Sequence, residues 1–390
     1  MTTPRSAAED EQAWAAQSLD SGAAGTALLH VERARTGGGD WRAAHAWISR
    51  ATAHELNGSP SAGLFLGVPA VAFVLHAAAD PPERYQAART ALDKHVRNIA
   101  HQRACDGLAR ITSGRPTRFN EYDLLYGLTG IGALLLRTQP GSTALEHILT
   151  YLVALTRPLE HHEQRIPGWW VGHGPRLRGG THDGPPHLNL GAAHGVTGPL
   201  LLLAQAARQG LTVVGHLDAI RTVHAWLRSW RQHGPAGVWW PETITATEIT
   251  AGRPIQSHPG RPSWCYGTPG IARAGQLAAL ALGEEQQQHV WEQALADCAA
   301  DPAQLRQVTD PGLCHGWAGL YQTLWRAAQD ATTSDLHRAL PALGERLRRH
   351  SADNHGDGFL NGRAGTALAE ATHATNQPPA TGWDACLLID

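Results

Sequence analysis

The stretch Gly127-Leu128-Thr129-Gly130-Ile131-Gly132-Ala133-Leu134-Leu135-Leu136 joins a Gly-x-x-Gly pair directly to an apolar run, and the same join recurs along the chain. It stands at Gly22-Ala23-Ala24-Gly25, at Gly195-Val196-Thr197-Gly198, at Gly267-Thr268-Pro269-Gly270, at Gly316-Trp317-Ala318-Gly319 and at Gly362-Arg363-Ala364-Gly365. A degenerate copy, Gly67-Val68-Pro69-Ala70, lacks the second glycine. Spacings of roughly 45 to 70 residues leave room for a pair of helices per repeat with variable connections. The runs after the glycines are apolar on most sides, which predicts inner helices packed all round, whereas 217–230 and 336–349 carry one apolar stripe and predict outer helices. Seven inner and seven outer helices predict an all-α fold, a closed α/α toroid whose glycine-rich loops line a central bowl. Several helix N-termini would then aim their partial positive charge inward, where it favours anions and thiolates. For most copies the glycines need no function beyond close approach between helices.

The bulk composition excludes several classes of function. At 42% hydrophobic and 17% charged, the 390 residues can bury a large core. A net charge of −2, with Lys94 the only lysine and no basic run, gives nucleic acid or an anionic membrane nothing to hold. The longest apolar runs, such as 64–75, are too short and too broken by Gly and Pro for a membrane span. Residues 1–12 hold Glu9, Asp10 and Glu11 without an apolar core, so they do not read as a signal peptide. Five thinly spread cysteines argue for metal or thiol chemistry over a disulfide framework, and the expected location is the cytoplasm.

No linker divides the chain, so the expectation is a single domain over 1–390. Residues 158–187 stand out, with His161-His162, Trp169-Trp170, six glycines and no helical period. They predict a long ordered loop or small insertion over the bowl. Strand signals are thin: Val238-Trp239-Trp240 and 243–250 predict at most a small hairpin. Trp169-Trp170 and Trp239-Trp240 could stack on a ligand, although large aromatics more often pack cores and loops.

Chemistry concentrates in Pro311-Gly312-Leu313-Cys314-His315-Gly316-Trp317, where two soft ligand side chains are adjacent between glycines. Neighbours on a helix point about 100° apart, so Cys314 and His315 can share an ion only from a loop or a helix's first turn. Cys265, in Trp264-Cys265-Tyr266-Gly267, holds the equivalent place in another repeat and is the best third ligand. Two cysteines and one histidine leave a tetrahedral position open, as in a catalytic zinc site. Taken singly, each cysteine also reads as a small buried hydrophobe, which is the reading for Cys105, Cys298 and Cys386. His194, in Ala193-His194-Gly195, matches the register of His315 and reads either as a proton carrier facing the bowl or as a satisfied buried histidine. Asp123 and Arg261 could form a charge pair lining the same bowl, and each alone reads as a solvated charge or cap.

Together, Asn189-Leu190-Gly191-x-x-His194-Gly195, Arg261-x-x-Trp264-Cys265-Tyr266-Gly267 and Cys314-His315-Gly316 resemble the lanthionine synthetase C-like family. More closely, they look like the stand-alone cyclases of class I lanthipeptide biosynthesis. The resemblance covers nearly the whole length and implies a seven-fold α/α toroid with one catalytic Zn²⁺ held by Cys265, Cys314 and His315. It carries the acid/base histidine over to His194, the supporting pair to Asp123 and Arg261, and the tyrosine after the first zinc cysteine to Tyr266. It implies addition of cysteine thiols to dehydroalanine or dehydrobutyrine in a dehydrated precursor peptide, closing thioether rings, with a dehydratase as a further partner. No dehydratase or kinase-like region is expected before the toroid. The alternatives are glutathione addition to dehydrated residues in proteins, the activity of the family's eukaryotic branch, and a non-catalytic zinc-stabilised scaffold that docks a peptide.

Overall fold

The computed structural model describes residues 14–161, 164–178, 181–353 and 356–390. Its seven inner helices are Ala23–Arg35, Val68–Ala77, Leu128–Thr138, Thr197–Arg208, Thr268–Leu282, Trp317–Asp330 and Arg363–Thr375. Each packs against the inner helix before and after it, and the last packs against the first, so the ring closes. Outside it lie Trp41–Ala51, Gln86–Thr112, Thr143–Leu155, His216–Ser229, Glu285–Ala300 and Asp335–His350, each against the inner helix that precedes it. The burial follows the sequence pattern. Leu200, Leu201, Leu202 and Leu203 are all inaccessible to solvent, each worth about 1.5–3 kcal/mol on burial. Outer helix His216–Ser229 buries the stripe Ala219, Ile220, Val223 and Leu227.

The expected seventh outer helix after the last inner one is replaced by a 3₁₀ turn, Trp383–Leu387. This tail fills the middle of the ring. Trp264 Nε1 donates to the Leu387 carbonyl at 3.0 Å, and Arg273 Nε to that of Ile389 at 2.9 Å. Asp384, fully buried, accepts a bidentate pair from Arg326, both bonds at 2.7 Å, and a third bond from Gln322. The bowl therefore has a packed floor, directly beneath the Trp264-Cys265 loop.

In five of the motifs the second glycine has a sharper reason than helix-to-helix contact. A Cβ on Gly25, Gly130, Gly270, Gly319 or Gly365 would lie 1.9–2.0 Å from the carbonyl oxygen six residues upstream, a distance no contact tolerates. The loop folds back onto its own helix, and only the missing side chain admits it. Gly319→Ala would push on the Leu313 carbonyl, next to Cys314. We expect that substitution to cost about 1–3 kcal/mol of stability, read as a lower urea midpoint; an unchanged midpoint would show that the loop has room to give.

Those loops are joined to one another in a circle of backbone hydrogen bonds. Leu19 N–H donates to Phe65 O, Phe65 to Leu125, Leu124 to Ala193, Ala192 to Cys265, Cys265 to Cys314, Cys314 to Leu360, and Leu360 to Asp20, at 2.8–3.2 Å. Seven links return the circle to its start.

Two strand expectations need correction. The hairpin is made by Gln232–Gly234 with Gly237–Trp239, while Thr243–Thr245 pairs instead with His187–Asn189 and 246–251 turn helical under a Thr245/Glu248 capping box. The 158–187 segment, expected as an ordered loop or small insertion, holds two antiparallel pairs, Leu159–His161 with Gln164–Ile166 and Arg176–Arg178 with Thr181–Asp183. His162 lies outside the described residues. The paired tryptophans are all buried, so none offers a stacking face to a ligand. Cys298 and Cys386 are buried as expected, but Cys105 is exposed on the outer face of Gln86–Thr112. Among the described residues no helix is long and apolar enough to cross a membrane.

Candidate functional site

Cys314 and His315 lie in the turn before helix Trp317–Asp330, which frees neighbouring side chains to point the same way. Cys265 lies in the corresponding turn before Thr268–Leu282, tied across by its N–H to the Cys314 carbonyl at 3.2 Å. The ligand atoms of Cys265, Cys314 and His315 all fall within 4.8 Å of one another. An ion with bonds of about 2.0–2.3 Å holds tetrahedral donors at such separations. Hydrogen bonding from the Cys314 thiol, helped by His315 and Ser263, holds Cys265 well below the usual thiol range against the effect of burial. The bond to Cys265, with burial, pushes Cys314 up, and His315 is raised chiefly by its hydrogen bond to Cys265. A soft, anion-prone set of three donors suits Zn²⁺. Its open side is a cavity of about 550 Å³ lined by Cys265, Cys314, His315, His194, Arg261 and Tyr266, among others.

His194 is held from behind. Its Nδ1 lies 2.6 Å from Oδ2 of Asp123, which is inaccessible to solvent. The other carboxylate oxygen accepts from the N–H groups of Tyr126 and Gly127, at 2.8 and 2.6 Å, where helix Leu128–Thr138 begins. An ionised carboxylate so fixed keeps a proton on Nδ1 and leaves Nε2 to the cavity. Around the imidazole, Tyr126 stacks at 5.9 Å and 17°, and Phe119 meets it edge-on at 5.1 Å. Tyr266 completes the cage at 6.3 Å, and its hydroxyl accepts from Asn189 Nδ2 at 3.0 Å. Burial pushes the Tyr266 phenol up, so it stays protonated.

The expected Asp123–Arg261 pair does not form. Asp123 binds His194, and Arg261 Nη1 instead donates to Oδ2 of Asp310 at 3.2 Å. The same Asp310 oxygen lies 3.6 Å from His315 Nε2, and Oδ1 accepts from the Gly312 N–H at 3.1 Å. Asp310 thus stands between a metal-ligand candidate and the cavity arginine, a place sequence reasoning missed. A signal was available: Asp310 is four residues before Cys314, as Arg261 is before Cys265. Tyr126 was findable likewise, since Tyr126, His194, Tyr266 and His315 each directly precede the first glycine of their motif. Phe119 had no such signal.

A match to the lanthionine synthetase C-like protein family spans residues 13–388. The nisin biosynthesis protein NisC of Lactococcus lactis subsp. lactis is 26% identical over 187 residues, covering 46% of this chain and 44% of that protein. The chain therefore spans less than half the length of this curated relative. A solved structure, nisin cyclase, superposes with a TM-score of 0.79 at 19% identity, covering 98% of this chain and 95% of the other, and carries the toroidal fold across nearly every residue. With its motifs in register on seven closed repeats and a family match across almost its full length, the chain belongs to the lanthionine synthetase C-like family.

Proposed function

We propose that the protein is a zinc-dependent cyclase that adds cysteine thiols to dehydroalanine or dehydrobutyrine in a ribosomally made precursor peptide, forming lanthionine and methyllanthionine rings. The observation that carries this reading is the convergence of Cys265, Cys314 and His315 on the cavity that His194 also lines. Cys265, Cys314 and His315 hold the zinc, which when bound makes a substrate thiol acidic enough to react near neutral pH. The sulfur bonds to the β-carbon of the dehydrated residue, and the alkene electrons move onto its carbonyl as an enolate. Arg261 faces that charge, keeping further N–H donors after its bond to Asp310. His194 Nε2, bare in the tautomer that Asp123 holds, takes the proton the thiol gives up and then delivers it to the α-carbon, so no mass is gained or lost. Asp123 holds His194 in the tautomer that presents Nε2, and the aromatic cage limits its swing. A dehydratase is the partner that supplies the substrate. The free Cys265 and Cys314 thiols suit the reducing cytoplasm, where we place the protein.

The test incubates zinc-loaded protein with a dehydrated, cysteine-containing precursor and counts alkylatable thiols. Thiol loss without mass change supports ring closure. A gain of one glutathione mass when glutathione is present, with the peptide thiols retained, would favour the intermolecular alternative. Loss no faster than in the enzyme-free control would sink the cyclase reading.

A further inference from the structure

A second cleft, of about 600 Å³, is lined by Arg110, Arg115, Thr117, Arg118, Glu121 and His173. Its charges do not balance. The Glu121 carboxylate is already satisfied by Arg110 Nε, at 2.9 and 3.0 Å, and by the Tyr151 hydroxyl at 2.6 Å. Arg110 Nη1 donates to the Arg115 carbonyl, yet Nη2 is buried without any hydrogen-bond partner among the described residues. Arg110 as a whole is only 8% exposed, so its charge sits at the wall of the cleft largely out of water. Arg115 and Arg118 are exposed, and neither has a carboxylate partner among the described residues. Behind them, Arg103 donates only to the neutral carbonyls of Ala62, Tyr126 and Asn120. A local cationic surplus thus sits on a chain whose net charge is −2.

The cleft adjoins the reacting side of the molecule. Phe119 packs edge-on against His173 of the cleft at 5.3 Å and against His194 of the cavity at 5.1 Å. One aromatic ring separates the two histidines, and an extended chain rising about 3.3 Å per residue would pass from one to the other in roughly three residues. Arginine forks match carboxylates in two-point geometry, and Arg115 and Arg118 present theirs to solvent at the cleft.

We propose that this cleft binds a Glu or Asp side chain of the precursor peptide, about three residues from the residue undergoing ring closure; the proposal rests on the peptide-cyclase reading above. The occupant is a side-chain carboxylate of the substrate itself, and it adds affinity and register to a site whose chemistry needs neither.

The test uses the zinc-loaded full chain and fluorescein-labelled, dehydrated peptides with one cysteine and an amidated C-terminus, which removes the terminal carboxylate as a source. A single Glu is moved through successive positions on either side of the ring-forming residues, in an otherwise Gln background, and binding is read by anisotropy. The best-placed Glu peptide should bind about tenfold tighter than its all-Gln twin. That advantage should vanish in the Arg115→Gln/Arg118→Gln double variant and fade in roughly 0.5 M salt. Equal binding of every Glu peptide and the Gln twin, or an advantage that survives the double variant, would overturn the proposal. Thiol counts on the same samples keep the two readings apart. Thiol loss in all peptides with one common KM would defeat the cleft and leave the cyclase standing. A Glu preference in binding without any thiol loss would do the reverse.

Discussion

Replacing Cys314 by alanine should strip the metal from the protein and reduce ring closure to the enzyme-free rate. Among the described residues three protein donors come together, and Cys314 is the one that both bonds Cys265 and belongs to the adjacent Cys-His pair. Removing it leaves two donors, too few to hold a tightly bound zinc in a site that keeps one position open. Losing a partner that merely orients a ligand costs about 10–100-fold in metal affinity, so losing the ligand itself should cost more. The measurement is zinc per chain after dialysis against a mild chelator, expected to fall from one to near zero, alongside the thiol count. Cys298→Ala is the matched control, because that thiol is buried away from the cavity and should leave the metal in place. A Cys314→Ala protein with a full complement of zinc would show that the ligand set is wrong.

The second large effect belongs to the proton path. His194→Ala should retain zinc and slow ring closure by about 10²–10⁴-fold, the usual contribution of a positioned acid or base. The sharper variant is Asp123→Asn. It keeps the oxygen that receives the Tyr126 and Gly127 N–H groups, so the loop should survive, but turns the group facing His194 Nδ1 into a donor. The imidazole must then carry its proton on Nε2, the wrong nitrogen for the cavity. We expect Asp123→Asn to lose nearly as much rate as His194→Ala, with metal content and thermal midpoint close to wild type. A rate within about threefold of wild type in both variants would assign His194 a structural role, since Brønsted catalysis by a positioned group is worth far more.

The ring architecture was legible because one physical constraint is written in five of the seven motifs: a helix start that a loop carbonyl crowds tolerates no Cβ. Gly130, Gly270 and Gly319 carry it openly. The inner and outer assignments followed from the width of the apolar stripe, and held for His216–Ser229 and Asp335–His350. The missing outer helix did not follow, because Trp383, Leu387 and Ile389 look equally suited to a helix face and to the plug they form. Within the site, residue types and shared register identified the donors and His194. Pairing was the step that failed. Whether Asp123 meets Arg261 or His194 depends on which loops neighbour in the ring, and Leu124 bonds to Ala193, next to His194, not to the Cys265 loop. Arg261 likewise finds Asp310 because its neighbour is the Cys314 loop. Charge identity is readable from one residue at a time, but partner choice is a property of the closed circle.

That circle of loop-to-loop bonds also fixes how the architecture can change. An open solenoid gains or loses units at its ends with little consequence, because each unit touches only its neighbours. Here the bond from Leu360 to Asp20 is of the same kind as the six others, so there is no end unit to add to. A sixth-part or eighth-part hoop would need a different curvature at every junction, and the gap would open at all seven seams together. Variation in such a protein is therefore channelled into the connections, as the hairpins between 158 and 187 illustrate, while the unit count behaves as a whole number that admits no neighbouring value.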